Sequence, residues 1–333
     1  MTVIASDERD LEPAVFDKIV IGSGERYDIV INANKKPRTY WIIVQGLARC
    51  NPSVYQIAAL KYVSNEINES PAVHPIFPIA TINPNAVILN NDLINCTFIE
   101  KTGRCISQLK SKEKTPFPLL LRKPDLRLTF DFEFHVYNQK SMFDEEPQPY
   151  FVVETGNHLL GKVNNVSFTM PPSPLLSQVR DVPEDLFCKP ECHSSKRICK
   201  CLDVIKVPLN SVVEFILADV GTFQVVIHPF HLHGHSFHVV SLGLWGSDRN
   251  ASLQELYSQL KSGELLHDKM PVKDTTAIPF KGYVVFRVLM DNPGYWLLHC
   301  HIAWHIENGM SSVIKVGDES DFPPLPNGFP KCG

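Results

Sequence analysis

Two short stretches constrain this chain more tightly than anything else in it: HPFHLHGHSF at 228–237 and HCHIAWHIENGM at 299–310. The first sets His228, His231, His233 and His235 within ten positions, with His238 directly after. The second carries His299, Cys300, His301, His305 and Met310. Each opens as a β-strand, and on a strand successive side chains point to opposite faces. Cys300 therefore points one way while His299 and His301 point together the other way. One tripeptide can thus ligate metals on both sides of a backbone. By the same alternation His231, His233 and His235 share a face, and His228 is held extended before Pro229 at the strand's entrance.

A lone histidine in a strand is ordinarily a satisfied polar residue. Five in one run, facing a second cluster with a cysteine, are a ligand set. A thiolate with two imidazoles and a weak thioether is what a blue-copper electron-transfer centre uses. His305 and Met310 follow Cys300 at +5 and +10, a loop-length return to the same metal. The other neutral imidazoles suit further copper ions on the opposite face. Zinc would want a closed tetrahedron of four ligands, and these stretches supply too many nitrogens for one such site.

The rest of the pattern is that of an all-β protein. FDKIVI, the turn GSGER, YDIVINAN and TYWIIVQG alternate near the N-terminus. A second strand-rich region opens at LRLTFDFEFHVY (126–137) and continues to SSVIKVGD. Residues 61–124 are rich in Pro, Asn and Lys and read as a long connection. Only SLQELYSQLKSG (252–263) has helical spacing, and it falls between strands. The expectation is a Greek-key sandwich with one helical excursion.

Composition narrows the function classes. The 333 residues are 44% apolar and 20% charged, a globular composition, with a formal net charge of −4. Without a basic block there is no electrostatic footprint for nucleic acid, and no apolar run reaches the roughly 18 residues of a membrane span. The start, MTVIASDERDLEP, lacks the basic and apolar regions of a secretory signal. Nine cysteines and sequons at Asn68, Asn95, Asn165 and Asn250 nevertheless point to an oxidising compartment. Sequence upstream of Met1 would reconcile the two. The run CKPECHSSKRICKC (188–201) lacks paired C-x2-C spacing and is expected to form disulfides rather than a zinc knuckle. Partners of Cys50, Cys96, Cys105 or Cys332 are sought in sequence outside the chain.

The two histidine stretches resemble the two C-terminal copper signatures of the multicopper oxidases, the laccases in particular and those of insect type most of all. GERYDIVINANKKPRTYWI is similar to the end of a second cupredoxin domain. VNNVSFTMPPSPLLSQ, VPLNSVVEFILAD and DTTAIPFKGYVVFRVLMDNPGYWLLHCH are similar to a third. The resemblance implies a cupredoxin-like Greek-key β-sandwich, one complete domain plus part of a second: residues 1–60 close the second domain, 61–115 connect, and 116–333 form the third. It implies type 1 copper at His228, Cys300, His305 and Met310, type 2 copper at His231, and type 3 copper at His233, His299 and His301. It further implies up to four coppers in a complete enzyme, a phenol, aromatic amine or metal ion as electron donor, dioxygen as acceptor, and an extracellular location. His235 then reads as a hydrogen-bonding neighbour of a ligand and His238 as structural. His74, His135, His158, His193 and His267 are isolated and carry no role.

The sequence departs from that pattern in two places. The family's trinuclear site takes eight histidines, half of them from a first domain with two His-x-His pairs, and no further His-x-His pair occurs here. The chain is therefore expected to be a C-terminal portion that holds type 1 copper at best and does not reduce oxygen by itself. Ala303 stands where many relatives carry an acidic residue implicated in proton delivery; Glu307 is the near carboxylate in sequence.

Overall fold

Strand alternation sorts the apolar residues after position 125 into two facing layers. The computed structural model describes residues 1–47, 54–62, 86–90, 96, 103–137, 158–194, 197–222 and 226–332. Cys50, Asn68, His74 and Asn95 lie outside the described residues. The N-terminal strands are β1 (Thr2–Ser6), β2 (Arg9–Val15), β3 (Lys18–Ile19), β4 (Tyr27–Val30), β5 (Thr39–Gln45), β6 (Tyr55–Lys61), β7 (Ile88–Leu89) and β8 (Gly103–Arg104). They form sheets in the orders β2-β1-β4 and β3-β7-β8, and a hairpin of β5 with β6.

The longer strands follow: β9 (Leu126–Tyr137), β10 (His158–Val163), β11 (Val166–Phe168), helix α1 (Leu175–Gln178), β12 (Cys199–Cys201), β13 (Val204–Val207), β14 (Val212–Asp219), β15 (His228–Leu232) and β16 (Phe237–Leu244). Then come helix α2 (Arg249–Ser262), β17 (Val272–Lys273), β18 (Thr275–Ile278), β19 (Gly282–Leu289), β20 (Gly294–Cys300), helix α3 (Ala303–Glu307) and β21 (Ser311–Val316). One sheet runs β12-β11-β10-β9-β14-β19-β16-β17 and the other β13-β21-β20-β15-β18. The chain alternates between them, β14 in one, β15 in the other and β16 back, as a Greek-key sandwich requires.

The core lies between the layers. Phe130 and Phe132 of β9, Phe215 of β14 and Phe286 of β19 face Phe230 of β15 and Leu298 of β20. Phe286 stacks with Phe215 at 5.0 Å and with Phe237 at 4.1 Å between ring centroids. The outer face of the larger sheet is covered by α2, whose Leu256 and Leu260 pack on Ile216, Val240 and Val285. This helix begins at Arg249, before the expected position 252, because Asp248 caps it by accepting from the N–H groups of Asn250 and Ala251 at 2.8 and 3.2 Å. Its first turn is polar, so apolar spacing alone does not reveal it.

The N-terminal sheets share this core: Val3, Leu11, Phe16, Leu89 and Ile106 belong to the same cluster. Within the expected connection, β7 and β8 pair in parallel with β3, and Cys96 is bonded to Cys105. That bond corrects the expectation of outside partners for these two cysteines; nine residues of intervening chain bring them back together. Cys188–Cys201 and Cys192–Cys199 are nested disulfides, as expected for the 188–201 run.

Two buried ion clusters fasten the layers. Arg287 of β19, fully buried, donates to Glu214 of β14 at 2.8 and 2.9 Å and to the carbonyls of Leu119 and Leu121, and Arg127 meets the other carboxylate oxygen of Glu214. The ammonium of Lys273, also fully buried, lies 3.1 Å from Asp7, 3.5 Å from Glu25, 2.8 Å from the Ser6 hydroxyl and 4.5 Å above the Tyr27 ring. Burial opposes its charge, but Tyr27, Glu25 and Asp7 outweigh that and hold its pKa above the usual lysine value. Glu214→Ala should leave Arg287 buried without its carboxylate and lower the free energy of unfolding by about 3–5 kcal/mol, read from urea denaturation followed by tryptophan fluorescence; a loss below about 1 kcal/mol would contradict this account.

Candidate metal centre

The register of β15 against β20 sets the site. Phe230 lies opposite Cys300 and His231 opposite His299. Phe230 and Cys300 face the core between the sheets, and His228, two residues before Phe230, shares that side. His231 and His299 face the other. After β20 the chain turns into α3, where the His305 N–H donates to the Ile302 carbonyl at 2.8 Å, and it closes with Met310 N–H on His305 and Cys300 N–H on Met310, at 3.0 and 3.1 Å. These bonds carry His305 and Met310 back to Cys300.

On the core side, Cys300 Sγ lies 3.3 Å from His305 Nδ1 and 3.8 Å from His228 Nδ1. The ligand atoms of the three all fall within 4.8 Å of one another. Aromatic rings wall the pocket: Phe132 is 5.1 Å from the His228 ring and Phe134 meets the His305 ring edge-on at 4.8 Å. Burial pushes the imidazole of His228 down to about 3, that of His305 down to about 4, and the Cys300 thiol up to about 12. Both imidazoles therefore offer lone pairs at neutral pH. Met310 is fully buried in the same apolar cluster. A soft sulfur, two convergent imidazole nitrogens and a thioether in a dry pocket fit copper.

On the opposite side four imidazoles gather. The His231 ring lies 4.7, 5.7 and 5.8 Å from those of His233, His299 and His301. His231 Nδ1 is 2.9 Å from both the Asp274 carbonyl and Thr275 Oγ1. A carbonyl only accepts, so Nδ1 carries the proton and Nε2 keeps its lone pair. His299 Nδ1 likewise donates to the Cys300 carbonyl at 2.9 Å, and its Nε2 lies 3.1 Å from His233 Nε2. Two metal–nitrogen bonds of about 2.0–2.1 Å meeting near a right angle would span that gap. Burial, with the neighbouring rings, brings His299 down to about 4 and lowers His233.

The N-terminal segment supports this second cluster through residues that sequence reading did not single out. Ser23 Oγ donates to the His301 carbonyl at 3.1 Å and lies 3.5 Å from His301 Nδ1. Gly24, at φ +83°, lies so close that a Cβ there would sit 2.7 Å from the His301 ring. Arg26 grips both carboxylate oxygens of Asp274 at 2.6 and 2.7 Å. Burial opposes ionisation of Asp274, but hydrogen bonds from Arg26, His231 and Thr275 hold its carboxyl below the usual range. The signals were present: GSGER read only as a turn, and Asp274 and Thr275 stand in the quoted DTTAIPF.

Other expectations are modified. β15 ends at Leu232, and Gly234 turns the chain at φ +69°, so His235 does not continue the face of His231. It meets the Trp296 ring edge-on at 5.7 Å, and its Nδ1 is 3.4 Å from the His233 carbonyl. His238 lies on β16, and burial brings it down to about 4. Ala303 and Glu307 are exposed at the two ends of α3. The carboxylate that reaches the imidazole cluster is that of Asp274, 3.6 Å from His231 Nδ1.

Two family models match the sequence, both described as multicopper oxidase, over residues 168–320 and 1–65. The chain belongs to the multicopper oxidase family. Among curated relatives it is 24% identical to Laccase-12 of Arabidopsis thaliana over 100% of this chain and 57% of that one. It is 23% identical to Putative laccase-17 of Oryza sativa subsp. japonica over 96% and 54%. This multicopper oxidase chain thus spans about half the length of the curated relatives it matches. In fold it is similar to the L499M mutant of the laccase from B. aclada, with TM-score 0.60 at 21% identity over 97% of this chain and 48% of that one. Fet3p, a multicopper oxidase that functions in iron import, gives 0.56 at 19% identity over 96% and 52%.

Two outcomes test this geometry. At neutral pH the thiol is protonated and both core-side imidazoles are neutral, so copper(II) entering beside Cys300 should release one proton, and its affinity should fall about tenfold per pH unit on acidification from 9 to 5. A pH-stat titration reads this directly, and Cys300→Ser should abolish both the proton release and the blue absorption. Gly24→Ala, by contrast, should shift the ring resonances of His301 in the NMR spectrum of the metal-free protein and leave those of His228 and His305 in place.

Proposed function

We propose that the whole protein is a laccase-like oxidase that takes electrons singly from a small donor and delivers them to dioxygen. The observation that carries this reading is the double use of β20: Cys300 turns to His228 and His305 on one side of the strand while His299 meets His233 on the other. Bound copper would supply the one-electron redox chemistry, cycling between copper(II) and copper(I). His228, Cys300, His305 and Met310 would hold the type 1 ion, His231 the type 2 ion, and His233, His299 and His301 the type 3 pair.

The residues have separable tasks. Cys300 excludes water from its thiolate by full burial and joins the two sides through its own backbone. The hydrogen bond from His299 Nδ1 to the Cys300 carbonyl shortens that route. Met310 as a weak axial ligand favours a moderate potential. Asp274 and Thr275 fix the His231 tautomer. We read the donor as a phenol, an aromatic amine or a metal ion, and the location as extracellular, supported by three disulfides among the described residues.

A second reading is a one-copper electron-transfer module, favoured by the compact three-ligand group at His228, Cys300 and His305. The family pattern calls for eight imidazoles around the second cluster, and four positions of this chain match it. Copper-loaded protein of residues 1–333 should accordingly turn blue, bleach with a phenol and consume no oxygen. Sustained oxygen uptake in an oxygen electrode would instead assign the full reaction to this chain.

A further inference from the structure

The copper ligands proposed for the core side do not reach water. Cys300 and Met310 are 0% exposed and His228 and His305 each 4%. An electron arriving from outside must therefore cross a side chain that is itself wet. Trp304 is that side chain: 48% of its surface is exposed, and its ring centroid lies 5.7 Å from that of His305. Phe134, buried against His305 at 4.8 Å, supports the indole from beneath at 5.3 Å. A large aromatic left half in solvent beside a buried ligand has lost burial energy that an interior position would supply.

We propose that Trp304 is a specificity-determining residue, a platform on which a planar aromatic donor stacks to pass its electron through His305. This rests on the type 1 reading of His228, Cys300, His305 and Met310. The fold of α3 does not depend on the indole: Asn308 closes the helix on the Trp304 carbonyl with its N–H and its side-chain amide, at 3.2 and 2.7 Å. A hydroquinone so bound gives one electron to a copper(II), which becomes copper(I), and releases one hydroxyl proton to solvent.

The test follows loss of the blue absorption of the copper-loaded chain in an anaerobic stopped-flow instrument, which needs neither oxygen nor the second cluster. Hydroquinone and ferrocyanide serve as aromatic and non-aromatic donors. Trp304→Leu should slow bleaching by hydroquinone about two- to tenfold, the worth of one aromatic stack, and leave ferrocyanide unchanged, while Trp304→Phe restores most of the rate. Equal effects on both donors, or none on hydroquinone, overturn the inference and leave the type 1 reading intact. A wild-type chain that never turns blue overturns that reading, and the inference with it.

Discussion

The structure depends on the pairing of β15 with β20. Because Phe230 lies opposite Cys300 and His231 opposite His299, a single register places one sulfur in the core and the imidazoles outside it. A slip of one residue would turn every one of these side chains to the wrong face. The phenylalanines between the two sheets guard against that slip, since Phe230 could leave the core only at a cost of about 1.5–3 kcal/mol.

The sandwich supplies rigidity, but the second cluster is not its work alone. Ser23, Gly24 and Arg26 come from a short loop between β3 and β4, far away in sequence, and they touch His301 and Asp274. The buried Lys273 holds that loop in place through Asp7 and Glu25. The charge cluster is thus a joint between two parts of the chain, and its neighbour in sequence, Asp274, reaches a proposed ligand.

Much of this was legible in the sequence, for a physical reason. Period-two alternation determines which way a side chain points, so opposite orientations for Cys300 and His299 follow from counting. Alternation also identified β9, β14 and β19 as strands. Where a strand stops is a different matter: the turn at Gly234 depends on its positive φ, and the run HLHGH looks continuous until that is known. Contacts across long separations were equally invisible. No local pattern says that Gly24 will lie against residue 301, or that Cys96 and Cys105 close on each other. The start of α2 was hidden because a cap is made by polar residues before the apolar spacing begins.

The buried ammonium at the joint has a consequence for how the molecule comes apart. Separating the N-terminal strands from the sandwich would strand one cation and two carboxylates in a layer that water cannot quickly reach, so a partial opening gains little solvation for the contacts it gives up. The two portions should therefore melt as one, and damage to the first thirty residues should be felt at His231 before it is felt at Cys300.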